Sequence, residues 1–257
     1  MSSLKRHPEV DALLEILLAR IREVLGDKLV GLYLYGSLVM GDFDMEASDI
    51  DLLAALTSDV TETEFERLQA MHDAIAREHP PWENRIEVQY YSLQGLNTFR
   101  DKRTPIAKIS PGEPFNLSDA GRDWLMNWYM VREQAVVLYG PPAAEIIGPV
   151  SREEYVEAAR EHVEEWGPRM AETKDRPSQA YAILTMCRAL YTDREGGQLS
   201  KKQAAEWVAR EYPEWAGITQ KALAWRAAWR EQGIDPEVTW PDTVRFVDFA
   251  RRTILGR

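Results

Sequence analysis

Cysteine is almost missing from this chain: Cys187 stands alone in 257 residues. An intrachain disulfide is therefore excluded, and a reducing compartment fits. Histidine is scarce as well, with His7, His72, His79 and His162 scattered at no metal-ligand spacing, which argues against a histidine-built metal centre. No run approaches the 18 apolar residues of a membrane span. The opening Met1-Ser2-Ser3-Leu4-Lys5-Arg6 leads into an amphipathic stretch bearing Glu9, Asp11 and Glu15 rather than the apolar core of a secretion signal. A cytoplasmic protein with no membrane partner is expected. Basic charge is in deficit: residues 1–150 hold 24 acids against 14 Lys and Arg, residues 151–257 hold 18 against 17, and the whole chain carries −11. Such a field repels a nucleic-acid backbone and draws cations, so no nucleic-acid partner is expected.

Several phosphate and nucleophile motifs are also missing. The spacings from Gly31 to Gly36 and from Gly36 to Gly41 match a phosphate loop, but Ser-Leu and Asp-Phe follow instead of the required Lys-Ser/Thr. There is no Gly-x-Gly-x-x-Gly turn and no Gly-x-Ser-x-Gly elbow. What remains is an ordinary globular composition, 45% apolar and 28% charged.

Apolar residues from Val10 to Leu25 recur every three or four positions and stop at Gly26, which predicts a helix over 8–25. Leu29-Val30-Gly31-Leu32-Tyr33-Leu34-Tyr35 and Ile50-Asp51-Leu52-Leu53-Ala54-Ala55-Leu56 read as buried strands, and Ile86-Glu87-Val88-Gln89-Tyr90-Tyr91-Ser92 as a third. Thr61-Glu62-Thr63-Glu64 is a capping box opening a helix to about residue 79. Residues 93–118, rich in Pro and Gly, predict an irregular connection, and 119–138 a helix ending at Tyr139-Gly140-Pro141-Pro142. Beyond it the pattern is helical only, with capping boxes at Ser151-x-x-Glu154 and Ser200-x-x-Gln203. The expected architecture is an α/β domain over 1–149, a mixed sheet with flanking helices, and an all-α bundle of about five helices over 150–257.

The chemistry concentrates at residues 36–51 and at Glu87. Strand residues two apart face the same way, so Asp49 and Asp51 offer paired carboxylates at the start of the second strand, the donor type that holds Mg²⁺ with phosphates completing the shell. Gly36-Ser37 ends the first strand, where a residue without Cβ lets phosphate approach exposed amides and a hydroxyl. Glu87, between Ile86 and Val88, either faces solvent or joins the site. Cys187 on an apolar segment and the pair Trp124 and Trp128 at helical spacing read as core.

Leu34-Tyr35-Gly36-Ser37, eleven residues, then Asp49-Ile50-Asp51-Leu52-Leu53 resembles the signature of the polymerase-β-like nucleotidyltransferases. Over nearly its whole length the chain is similar to the aminoglycoside 3″/9 (streptomycin/spectinomycin) adenylyltransferases. Glu133-Gln134-Ala135-Val136-Val137-Leu138-Tyr139-Gly140 and Leu184-Thr185-Met186-Cys187-Arg188-Ala189-Leu190-Tyr191, running on to Lys201 and Ala204-Ala205-Glu206-Trp207, carry that likeness. The resemblance implies ATP as co-substrate and Mg²⁺ as cofactor, with Asp49, Asp51 and Glu87 as metal-binding acids and Glu87 as catalytic base. It places Gly36, Ser37, Ser48, Asp49, Asp123 and Lys201 at the nucleotide and Arg188 near its phosphates. The implied reaction moves AMP to a hydroxyl of a small cationic acceptor, an aminoglycoside or aminocyclitol, and releases pyrophosphate. Drug-modifying members carry acids and a His just before the Leu184-Thr185 stretch, where this chain has Lys174-Asp175-Arg176-Pro177-Ser178-Gln179-Ala180-Tyr181. The aromatic residue that stacks on streptomycin likewise has no counterpart near Pro105. The known acceptor contacts are thus unmatched, and a protein adenylylator of toxin–antitoxin type and a non-catalytic nucleotide sensor stand as alternatives.

Overall fold

A computed structural model of the chain describes residues 7–169, 174–227 and 236–256; the opening Met1 to Arg6 lies outside them. The chain divides into two compact units, Met1–Phe43 with Ser48–Pro149, and Asp44–Ala47 with Val150–Arg257.

The first unit runs α1 (Pro8–Leu25), β1 (Leu29–Tyr35), β2 (Ile50–Leu56), α2 (Glu62–Glu78), β3 (Ile86–Ser92), α3 (Leu93–Thr98), β4 (Thr104–Ser110), β5 (Glu113–Ala120), α4 (Leu125–Gln134), β6 (Val136–Tyr139) and α5 (Ala143–Ile146). The strands form one mixed sheet in the order β5-β4-β3-β2-β1-β6. Only β2 and β3 are parallel; the other neighbours are antiparallel. The three predicted strands and α1 have the expected ends. α2 starts where its capping box requires, with Thr61 Oγ1 accepting from the Glu64 amide.

Two stretches differ from expectation. Residues 93–118 are not irregular: they hold α3 and a β4–β5 hairpin turning at Pro111-Gly112, where Gly112 has φ 82°. The prolines do not prevent it. Pro105 lies beyond the β3–β4 ladder, which spans Ile106 to Ile109, and Pro114 sits on the edge strand, so neither removes a donor that an inner ladder needs. Residues 119–138 are not one helix either. α4 stops at Gln134, and Val136-Val137-Leu138-Tyr139 turns extended because β1 offers it an edge. Tertiary pairing there outweighs local propensity.

The two sheet faces are filled differently. On one, Tyr90 meets His72 and Phe115, and Phe115 meets Phe65 of α2, which closes an aromatic core. On the other, Tyr91 stacks on Trp128 of α4 at 5.1 Å, and Trp128 on Trp124 at 5.6 Å; Trp128 is core as expected, whereas Trp124 is only half-buried. Tyr35, Asp51, Glu87, Gln89 and Lys108 share this second face by register.

The second unit contains α6 (Arg152–Arg169), α7 (Arg176–Glu195), α8 (Lys201–Glu211), α9 (Ala216–Ala227) and α10 (Pro236–Leu255). α7 packs against the other four. It buries residues all round, among them Ile183, Leu184, Met186, Cys187 and Leu190, as a central helix must. Cys187 is buried core, as expected. Among the described residues no helix is long and apolar enough to cross a membrane.

Candidate active site

The site follows from strand register. Asp51, second residue of β2, lies opposite Tyr35 of β1 and opposite Glu87 of β3. Asp49 precedes β2 by one residue and joins them: one carboxylate oxygen from each of Asp49, Asp51 and Glu87 lies within 4.8 Å of the others. Three acids so close on a folded face repel one another unless a cation or proton intervenes. Burial, and then the charge of Asp49, pushes the Glu87 carboxyl above its ordinary range, while hydrogen bonds from Ser110 and Gln89 and the charge of Lys108 oppose the shift.

Gly36 and Ser37 close the face. Gly36 has φ 74°, and a Cβ there would run into the Asp51 carboxylate. Only glycine meets both demands. Ser37 Oγ is buried and has no hydrogen-bond partner in the protein. A carboxylate trio of hard oxygen donors, a turn kept free of side chain and an unmet hydroxyl together suit a divalent cation carrying a phosphate group.

Beneath Glu87 lies a buried polar layer that the sequence reading did not single out. Gln89, fully buried, donates from Nε2 to Glu87 Oε1 at 2.6 Å and to the Tyr35 hydroxyl at 2.7 Å. Its own Oε1 has no partner. Tyr35 also bonds Asn127, and its phenol is held well above its usual range, first by burial and then by the charges of Glu87 and Asp51. One signal was present in the sequence: a Gln two residues after Glu87 in an otherwise apolar strand must share its face.

The Ser48 side chain is fully buried, and its carbonyl accepts from Arg85. Asp123 is exposed on the turn ahead of α4, paired with Arg103 at 2.8 Å and accepting from the Gly121 amide at 3.1 Å. Arg188 lies on α7 and Lys201 opens α8, both in the second unit. A lysine at a helix N-terminus opposes the helix dipole. Lys201 sits there nonetheless, its ammonium 5.0 Å from the centre of the Tyr181 ring.

Comparison with known proteins bears on the fold and on the class of enzyme. Residues 16–112 match a family model described as nucleotidyltransferase domain, and residues 145–250 match one described as aminoglycoside adenylyltransferase, C-terminal domain. Curated relatives from Shigella flexneri and Escherichia coli, each described as aminoglycoside (3″) (9) adenylyltransferase, are 28% identical over 221 residues, which is 80% of this chain and 80% of theirs. A solved structure of spectinomycin adenyltransferase AAD(9) from Enterococcus faecialis, with ATP and spectinomycin, shares the fold: TM-score 0.74, 17% identity, 95% of this chain and 98% of that one covered. The match of residues 16–112 to the nucleotidyltransferase domain, in the region that brings three carboxylates together beside Gly36, makes this chain a nucleotidyltransferase. More narrowly, the enzyme is aminoglycoside adenylyltransferase-like, by the match of its C-terminal region and by its curated relatives.

Proposed function

We propose that this enzyme transfers AMP from ATP to a hydroxyl of a small cationic acceptor, an aminoglycoside or aminocyclitol of the spectinomycin or streptomycin type, and releases pyrophosphate. The observation that carries the reading is the approach of Asp49, Asp51 and Glu87 to within 4.8 Å, with Gly36 against the Asp51 carboxylate. The names of the curated relatives support the acceptor class.

Asp49, Asp51 and Glu87 would hold Mg²⁺, which supplies positive charge to the triphosphate when bound. Gly36 lets the nucleotide approach the backbone, and Ser37 Oγ supplies the hydrogen bond to a phosphate oxygen that no protein group takes. Ser48, Asp123, Arg188 and Lys201 are proposed as further nucleotide contacts, by resemblance. The acceptor oxygen attacks the α-phosphorus, the bond from that phosphorus to the pyrophosphate oxygen breaks, and Glu87 takes the hydroxyl proton. Gln89 fixes the carboxylate for that task. A net charge of −10 over residues 1–150 attracts ammonium groups.

A screen of aminoglycosides, aminocyclitols and lincosamides for acceptor-dependent pyrophosphate release tests the reading. Release with a cationic acceptor, weakened by salt, is the expected outcome. Pyrophosphate release with none of them, alongside intact ATP binding, would favour a nucleotide sensor. Modification of a protein instead would favour a protein adenylylator.

A further inference from the structure

Asp51 and Glu87 are fixed by the β2–β3 ladder, but Asp49 stands one residue outside it. Something else must set its place, because a metal site tolerates little error in ligand position. Arg85 reaches it from both sides. Its backbone carbonyl accepts from the amide of Ile50, the residue after Asp49, at 2.9 Å. Its guanidinium donates to the carbonyl of Ser48, the residue before, from Nε at 3.0 Å and Nη2 at 2.5 Å.

Arg85 is in turn anchored. Nη1 donates to the Pro81 carbonyl at 3.2 Å, the guanidinium lies 4.7 Å from the Trp82 ring centre, and the side chain is 9% exposed. A planar fork that grips one carbonyl twice and a second carbonyl once is a task for arginine, which lysine's single ammonium cannot reproduce. Glu87 follows only two residues later, so one residue links the base of Asp49 to the base of Glu87.

We infer that Arg85 is a positioning residue that sets the placement of Asp49 against Asp51 and Glu87, and so tunes the affinity of the trio for a divalent metal. The inference rests on the trio's being the metal site. Residues that orient ligands without touching the metal typically alter metal affinity by about 10–100-fold.

The test is calorimetric titration of Mn²⁺, with a non-hydrolysable ATP analogue saturating, into the wild type, Arg85→Lys, Arg85→Met and Gln179→Leu. Thermal midpoints are read in parallel, and turnover is followed against Mn²⁺ concentration. In Arg85→Lys, metal affinity should fall about tenfold or more. Its turnover should recover near saturating Mn²⁺, a shift in half-saturation rather than in maximal rate. Gln179→Leu, destabilised in the other unit, should keep wild-type metal affinity. Folded Arg85→Lys with unchanged metal affinity would overturn the positioning role and leave Arg85 a fold clamp, whether or not Arg85→Met folds. A wild type that binds no Mn²⁺ with the analogue would overturn the metal site itself, and the inference with it.

Discussion

Among the described residues two glutamines are completely buried, one in each unit, and they differ in a way that separates framework from site. Gln179 of α7 is satisfied throughout: its Nε2 donates to the carbonyls of Lys174 and Pro236, and its Oε1 accepts from the hydroxyls of Thr239 and Thr243. It joins α7 to α10 and has no capacity left. Gln89 donates to Glu87 and Tyr35, but its Oε1 has no partner, and Ser37 Oγ, two residues after Tyr35 in the chain, has none either. A protein completes buried polar groups where only stability is at stake. Unmet capacity by itself is not enough, since the buried Nε1 atoms of Trp128 and Trp215 have no partner either; at Gln89 and Ser37 it accompanies a cluster of carboxylates that a ligand can complete. Burial alone therefore does not mark function; burial combined with convergent like charge and unmet hydrogen-bonding capacity does.

That contrast can be broken at several points. The largest effect belongs to Glu87. Glu87→Gln should lower turnover by about 10²–10⁴, the range of a lost general base. The same change should stabilise the metal-free protein. A carboxyl whose folded-state pKa is raised loses stability as pH rises through it, and a neutral amide escapes that loss. Single-turnover kinetics and thermal melts in a chelator check both; reduced turnover together with a lower melting point would count against the assignment.

Asp49→Asn comes next. It should weaken Mg-ATP binding by about 3 kcal/mol, the scale of a broken buried charge pair, without lowering the melting point of the metal-free protein. Calorimetry measures it directly. Equal affinity in the two proteins would remove the metal role.

The framework glutamine should behave the opposite way. Gln179→Leu removes four buried hydrogen bonds, leaving the Thr239 and Thr243 hydroxyls to the carbonyls of Pro236 and Thr239, and should cost about 2 kcal/mol of stability while leaving Mg-ATP affinity unchanged. Gln89→Leu should cost less stability, since its carbonyl oxygen is already unpaired, and should lower turnover. Urea unfolding with steady-state rates distinguishes the two.

The smallest effect tests the other face of the sheet. His72 lies 2.8 Å from the Tyr90 hydroxyl, and burial pushes its pKa from 6.5 down to about 3. Between those values the unfolded chain binds the proton and the folded one does not, so stability falls as pH drops below 6.5. Over the step from pH 6.5 to about pH 5 the wild type should lose about 2 kcal/mol that His72→Gln does not lose, by urea unfolding at both pH values. Turnover of the two at pH 7 should match.

The frame of the site was legible in the sequence because buried strands announce themselves. Leu29 to Tyr35, Ile50 to Leu56 and Ile86 to Ser92 are strand-length apolar runs, and period two puts Asp49 and Asp51 on one side; that Glu87 joins them rather than facing solvent took the β2–β3 register to decide. Gly36 and Ser37 stood out by place alone. The hairpin of β4 and β5 was hidden by Pro105, Pro111 and Pro114, whose tolerance depends on which edge each faces, a property of the assembled sheet. β6 was hidden because an edge on β1 decides its conformation. Arg85 could not be found from the sequence: a charged residue ahead of a strand is commonly solvated, and only the fold shows its guanidinium buried against Ser48 and Pro81.

The most direct measurement is a crystal structure with Mn²⁺ and a non-hydrolysable ATP analogue, phased to show the manganese by its anomalous signal. The account predicts an anomalous peak at coordination distance from Asp49, Asp51 and Glu87, with the analogue's phosphates completing the shell beside Gly36 and Ser37. Nucleotide bound with its manganese away from these three carboxylates would contradict it.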